Sequence, residues 1–174
     1  MKLNVSRRLT HWMIVLCIAH AMPMALAGDV ANGVSRLSGQ IDYWYVGHLG
    51  QTDDEGRRLT WEATIEGDVT GKMKWWFVTP APVPGITYTG GRISFYTARW
   101  EIWVDEELRL AGETSGKTDT RDGGDGVWDG HGRVTEASGK FKSLKGHEVY
   151  ETGPVIQGSN PPRSYSGTGI FVIY

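Results

Sequence analysis

Between Leu59 and Thr70 apolar and polar residues alternate without a break. Leu59, Trp61, Ala63, Ile65, Gly67 and Val69 fall on one face, and Thr60, Glu62, Thr64, Glu66, Asp68 and Thr70 on the other. A period of two belongs to an extended chain with one face on a core and one in water. Lys72 to Val78 repeats it, with Met73, Trp75 and Phe77 opposite Lys72, Lys74 and Trp76, so the two segments predict a hairpin turning near Thr70-Gly71. Arg92 to Asp105 also alternates, setting Tyr96, Ala98, Trp100, Ile102 and Val104 against Ile93, Phe95, Thr97, Arg99, Glu101 and Trp103. Both of its faces carry apolar groups, which marks it as a candidate homo-oligomer interface.

Ser35–Val46, Leu108–Thr118, Val127–Ala137, Phe141–Tyr150 and Tyr165–Tyr174 bring the expected strands to eight. Glu106-Glu107 is the expected turn before the fifth. The polar run His48–Arg57, the Pro/Gly-rich run Thr79–Gly91, Asp119–Gly126 and Thr152–Ser164 read as loops. Prolines bar Thr79–Gly91 from a central strand, and it is placed to lie across one barrel mouth. No segment has a sustained apolar repeat of helical period. Around the turn at Ser138-Gly139, the stretch Gly126–Tyr150 carries Gly130, Gly132, Gly139 and Gly146. Glycine weakens a flat strand but relieves crowding in a small, strongly coiled barrel. The expected fold is all-β: a single antiparallel eight-stranded up-and-down barrel, preferred to a sandwich.

The first residues change the picture of the compartment. Lys2, Arg7 and Arg8 precede an apolar run from Trp12 to Met22, and Ala25-Leu26-Ala27 forms an A-x-A site before Gly28. Residues 1–27 therefore read as a cleaved secretory signal peptide, too short and wrongly flanked for a spanning helix. The expected location is secreted or periplasmic, with no stable membrane insertion after cleavage and one barrel domain over residues 28–174. Cleavage removes the only cysteine, Cys17, so stability must come from a core rather than a disulfide. It also takes the 18 basic side chains to 15 against 20 acidic ones, a net charge of −5. With no basic cluster, nucleic acid is not an expected partner.

Chemistry, if the barrel performs any, would rest on shape and a few polar groups in an apolar chamber. Glu136, Glu148 and Glu151, His131 and His147, and the hydroxyls of Tyr96 and Tyr150 lie in or near strands that form the chamber. Strict alternation puts Trp128, Gly130, Gly132, Val134 and Glu136 on one face and Asp129, His131, Arg133 and Thr135 on the other. An inward Trp128 would bring Glu136 inside and leave His131 outside, unless a bulge intervenes. Glu136 and Tyr150 are the candidate catalytic residues; Trp61, Trp75, Tyr96, Trp100 and Trp128 are the candidate ligand-binding walls. The three remaining histidines, without cysteine, match no zinc spacing. Asp119, Asp122, Asp125 and Asp129 gather hard oxygen donors among glycines, but Arg121 takes a ligand position and no glutamate closes the loop, so a hydrated turn is expected rather than a calcium site.

The segment Gly132–Gly146, GRVTEASGKFKSLKG, and the ending Ser166–Tyr174, SGTGIFVIY, resemble the turn-and-strand signature and closing strand of the allene oxide cyclase and dirigent-like group of calycin-type barrels. The resemblance implies an eight-stranded barrel, often oligomeric, whose apolar cavity binds, cyclises or guides small hydrophobic molecules without a metal or organic cofactor. Three functions follow: an exported barrel that binds a small hydrophobic molecule unchanged, a cofactor-free cyclase or isomerase, and a structural or carbohydrate-contacting module using outward Trp44, Trp76 or Trp103. An inward carboxylate within reach of an open cavity favours catalysis, an open apolar cavity favours binding, and a filled barrel with an aromatic stripe outside favours the third.

Overall fold

The computed structural model describes residues 34–78, 83–121, 125–158 and 165–174. The signal segment and Asp122 lie outside these residues. Among them nine strands run in chain order: β1 (Leu37–Tyr45), β2 (Arg58–Gly67), β3 (Gly71–Phe77), β4 (Val83–Tyr88), β5 (Gly91–Val104), β6 (Glu107–Arg121), β7 (Gly126–Ala137), β8 (Glu148–Gln157) and β9 (Tyr165–Ile173). They form one sheet in the order β3-β2-β1-β9-β8-β7-β6-β5-β4, and β3 also pairs with β5. That pairing closes eight antiparallel strands into a barrel, as the alternating pattern predicts. β4 is the additional strand. β3 occupies the edge of β5 from Ala98 to Trp103, and β4 takes the same edge from Gly91 to Phe95. Its Pro84 is thus tolerated outside the closed ring, where no second partner needs its missing N–H.

The inward faces are those the period marks. Tyr96, Ala98, Trp100 and Ile102 on β5 are buried, as are Ala63 and Ile65 on β2 and Met73, Trp75 and Phe77 on β3. The β2–β3 turn falls at Asp68–Thr70, where the Asp68 carboxylate accepts from the Ser38 amide at 2.7 Å and its hydroxyl at 2.9 Å. The β5–β6 turn comes one residue earlier than expected. Asp105 and Glu106 both hold left-handed backbone (φ 52° and 61°), the requirement of a two-residue hairpin turn whose twist matches its strands.

Two expectations on the central hairpin are corrected. Phe141–Tyr150 is not a continuous strand: Gly139–Leu144 forms a 3-10 helix, the chain turns at Gly146 (φ 89°), and β8 starts only at Glu148. The spacing of Phe141 and Leu144 explains it, because residues three apart lie on one side of a 3-10 turn. Both are buried, while Lys140, Lys142 and Lys145 are exposed. β8 then continues through Gln157, so the expected loop from Thr152 begins as strand.

The ends of the barrel differ. At the end bearing the 3-10 helix, Phe141 and Leu144 join Leu37, Ile65, Leu110 and Ile173 in a sealed core. Trp100 has no exposed surface and meets Phe171 edge to face at 5.0 Å. The opposite end, where β1, β3, β6 and β8 finish, holds a pocket.

Candidate functional site

Tyr43, Trp61, Trp75, Phe77, Tyr96, Thr118, Trp128, Glu151 and Val155 line a pocket that opens to solvent. Every strand of the ring except β9 supplies a wall. Trp61, Thr118 and Trp128 are half-buried and meet solvent, and Trp75, Tyr96 and Tyr43 lie deeper. The rings stand at right angles: Tyr43 meets Trp61 at 82° and Trp128 at 83°, and Trp75 meets Trp128 at 79°, with centroids 5.4–6.2 Å apart. Phe77 instead stacks on Tyr96, 5.1 Å between centroids. Edge-to-face contacts satisfy the ring quadrupoles and fix the walls.

Glycines make room for the two tyrosine hydroxyls. A β-carbon at Gly130 would sit 2.5 Å from the Tyr96 Oη and 2.9 Å from the Glu151 Oε1. One at Gly153 would sit 2.4 Å from the Tyr43 Oη, which donates to the Pro154 carbonyl. Burial pushes the Tyr43 hydroxyl up to about 12, against a hydrogen bond from Trp128.

Glu151 is the carboxyl at the floor. It has no exposed surface. Its Oε2 accepts from the Trp75 indole N–H at 2.9 Å and its Oε1 from the Thr114 hydroxyl at 2.8 Å. The Tyr96 hydroxyl lies between this carboxyl and the Asp129 carbonyl, 3.2 Å away. Burial pushes the Glu151 carboxyl up to about 7, opposed by the hydrogen bonds from Trp75, Thr114 and Tyr96. Burial, and then the charge of Glu151, push the Tyr96 hydroxyl up in turn, so it stays protonated and able to donate.

The expected site residues separate. Trp61, Trp75, Tyr96 and Trp128 come together around the pocket. Trp100 does not line it; it has no exposed surface and packs on Phe171. Glu136 is outside and exposed, pairing with Arg99 at 3.0 Å. A bulge puts it there: Gly112 faces Val134 but Ala111 faces Glu136, so Thr135 is an extra residue and the alternation reverses after it. Tyr150 is also on the outer side, its ring 4.8 Å from that of His131. Glu151, one residue along, points in. Val149, Glu151 and Val155 share the buried face of β8, a pattern that an expected strand end at Tyr150 conceals. Trp76 and Trp103 both donate to Glu101 on the outer surface at 3.1 Å.

Among the described residues no three His, Cys, Asp or Glu side chains converge as metal ligands. Asp119 accepts from the Tyr88 hydroxyl, Asp125 from the Gln157 amide at 2.9 Å, and Asp129 faces Lys117 at 3.8 Å. These features define a closed eight-stranded β-barrel with an aromatic pocket over a buried carboxyl. No family model matches the chain, no curated protein matches it, and no solved structure matches it.

Proposed function

We propose that this protein is an exported barrel that binds a small, largely hydrophobic molecule at the open end of its interior without changing it. The observation that carries this reading is the division of the barrel: six aromatic side chains face a pocket at one end, while the other end is packed shut. Apolar walls with few polar groups are the usual make-up of a small-molecule site. The positive, apolar and A-x-A segments of residues 1–27 support export. Glu151 is sealed behind its donors, which favours an anchoring role over a chemical one. The test is native mass spectrometry and solvent extraction of the protein purified from its own host. A co-purifying apolar molecule supports the reading. An empty protein whose tryptophan fluorescence ignores a panel of apolar ligands overturns it.

One observation favours a second reading, a cofactor-free cyclase or isomerase of the allene oxide cyclase-like type. A carboxyl pushed up to about 7 beside an aromatic pocket has the acidity wanted of a general acid or base near neutrality. Turnover of an extracted ligand that fails in Glu151→Gln, with a pH dependence centred near 7, would establish it.

A further inference from the structure

Glu151 is fully buried, yet among the described residues no cationic side chain is one of the groups that act on it. Buried carboxylates are ordinarily paired with a positive charge or forced neutral. The elements packed around it offer Trp75 from β3, Tyr96 from β5, Thr114 from β6, Gly130 from β7 and Phe171 from β9. Of these only Tyr96 titrates, and it can only donate a hydrogen bond. Tyr43, toward the mouth, is likewise a neutral phenol. Asp129 acts on Tyr96 through its charge and is itself placed against Lys117 on the outer side. Glu151 lines the pocket, whose open side gives a cation from outside an approach to this carboxyl.

The walls of the pocket suit such a charge. Rings of Tyr43, Trp61, Trp75 and Trp128 meet at close to right angles, the arrangement of a box, and the face of an aromatic ring attracts a cation. The Trp75 indole also donates its N–H to Glu151, and hydrogen-bonded groups polarise one another, so a carboxylate behind the ring makes its face more electron-rich. Resting on the binding reading above, we propose that the ligand is an organic cation, a quaternary ammonium or protonated amine on an apolar body, held by these four rings with Glu151 as its buried counter-charge. Neither ring faces nor a carboxylate would give comparable preference to a neutral molecule of the same shape.

Binding and ionisation are then coupled. The empty protein's carboxyl, pushed up to about 7, must lose its proton to serve as counter-charge. Affinity for the cation therefore rises about tenfold from pH 6 to pH 8 as the ionised fraction rises, and binding near pH 6 releases a proton.

The test uses the purified chain with benzyltrimethylammonium and its uncharged carbon isostere, neopentylbenzene, followed by tryptophan fluorescence. Calorimetry of the cation in buffers of different ionisation enthalpy counts released protons without recourse to a variant. The expected result is at least tenfold preference for the cation at pH 8, the pH dependence just given, and loss of both in Glu151→Gln with the isostere unaffected. Trp75→Phe, which removes the N–H donated to Glu151, is expected to weaken the cation more than the isostere. Equal or tighter binding of the isostere, or cation binding without proton release at pH 6, overturns the proposal and leaves the pocket a binding site. Failure of both probes overturns it together with the binding reading.

Discussion

Trp100 and Trp128 lie on inward faces of strands that both pair with β6, yet they live in different surroundings. Trp100 is sealed against Phe171, with Gly112 so close that a β-carbon there would come 2.3 Å from its ring. Trp128 borders a pocket and keeps contact with water. The difference follows from what closes each end. The 3-10 helix Gly139–Leu144 carries Phe141 and Leu144 into one mouth, whereas the other end places Glu151, Thr118 and tyrosine hydroxyls where packing would otherwise be complete. A barrel of eight strands can be filled by side chains or can keep an open interior; this one is packed at one end and has a pocket at the other.

The comparison is most easily broken at the sealed end. Trp100→Ala is expected to destabilise by about 3–5 kcal/mol, the usual result of emptying a large aromatic site that cannot collapse. Trp61→Ala, at the open end and half-exposed, should cost about 1–2 kcal/mol while removing a wall of the pocket. Urea unfolding of both variants checks the pair. If Trp61→Ala is as damaging as Trp100→Ala, the open end is structural core and the division is wrong.

Glu151 carries the next effect, and its sign is fixed by its raised pKa. A carboxyl at about 7 when folded, against an ordinary value of 4.5, holds more protons in the folded state between those values. Its contribution to stability is fully present below pH 4.5 and is lost as pH rises through 7, amounting to about 3 kcal/mol. Glu151→Gln should match the parent near pH 4.5, exceed it above pH 7, and flatten the profile between. Unfolding midpoints across pH 4 to 8 measure it, and an unchanged slope in the variant would mean that the carboxylate is not desolvated as described. Gly130→Ala is smaller: the added methyl meets Tyr96 and Glu151, and overpacking of this kind costs about 1–3 kcal/mol. It should also disturb the pocket floor, seen as a changed tryptophan emission.

The inward faces of the strands were legible in the sequence and the floor of the pocket was not, for reasons in particular residues. Ala63, Ile65, Trp100 and Ile102 sit on faces that alternation marks, because a strand with one wet side must alternate. Four of the five expected walls meet for the same reason. Glu136 fails because one bulged residue, Thr135, reverses the count, and a bulge leaves no mark in hydropathy. Tyr150 lies on the outer side because β8 alternates and its neighbours Val149 and Glu151 take the buried face. The helix at Gly139 escaped because a single 3-10 turn has only one repeat of its period, Phe141 to Leu144.

The smallest effect sharpens the comparison from the sealed end. Asp105 and Glu106 turn β5 into β6 with both residues in left-handed backbone, where a side chain carries a penalty that glycine does not. Glu106→Gly keeps the turn, which then reads as Asp-Gly, a pair favoured at such hairpins. It gives up only the exposed ion pair with Lys72, of little energetic weight. The expected gain is about 1 kcal/mol, read as a higher urea midpoint. Because the turn lies at the end away from the pocket, ligand response should be unchanged. A variant that gained stability and lost that response would show the two ends to be coupled through β5, which runs from Val104 at the turn to Tyr96 at the pocket.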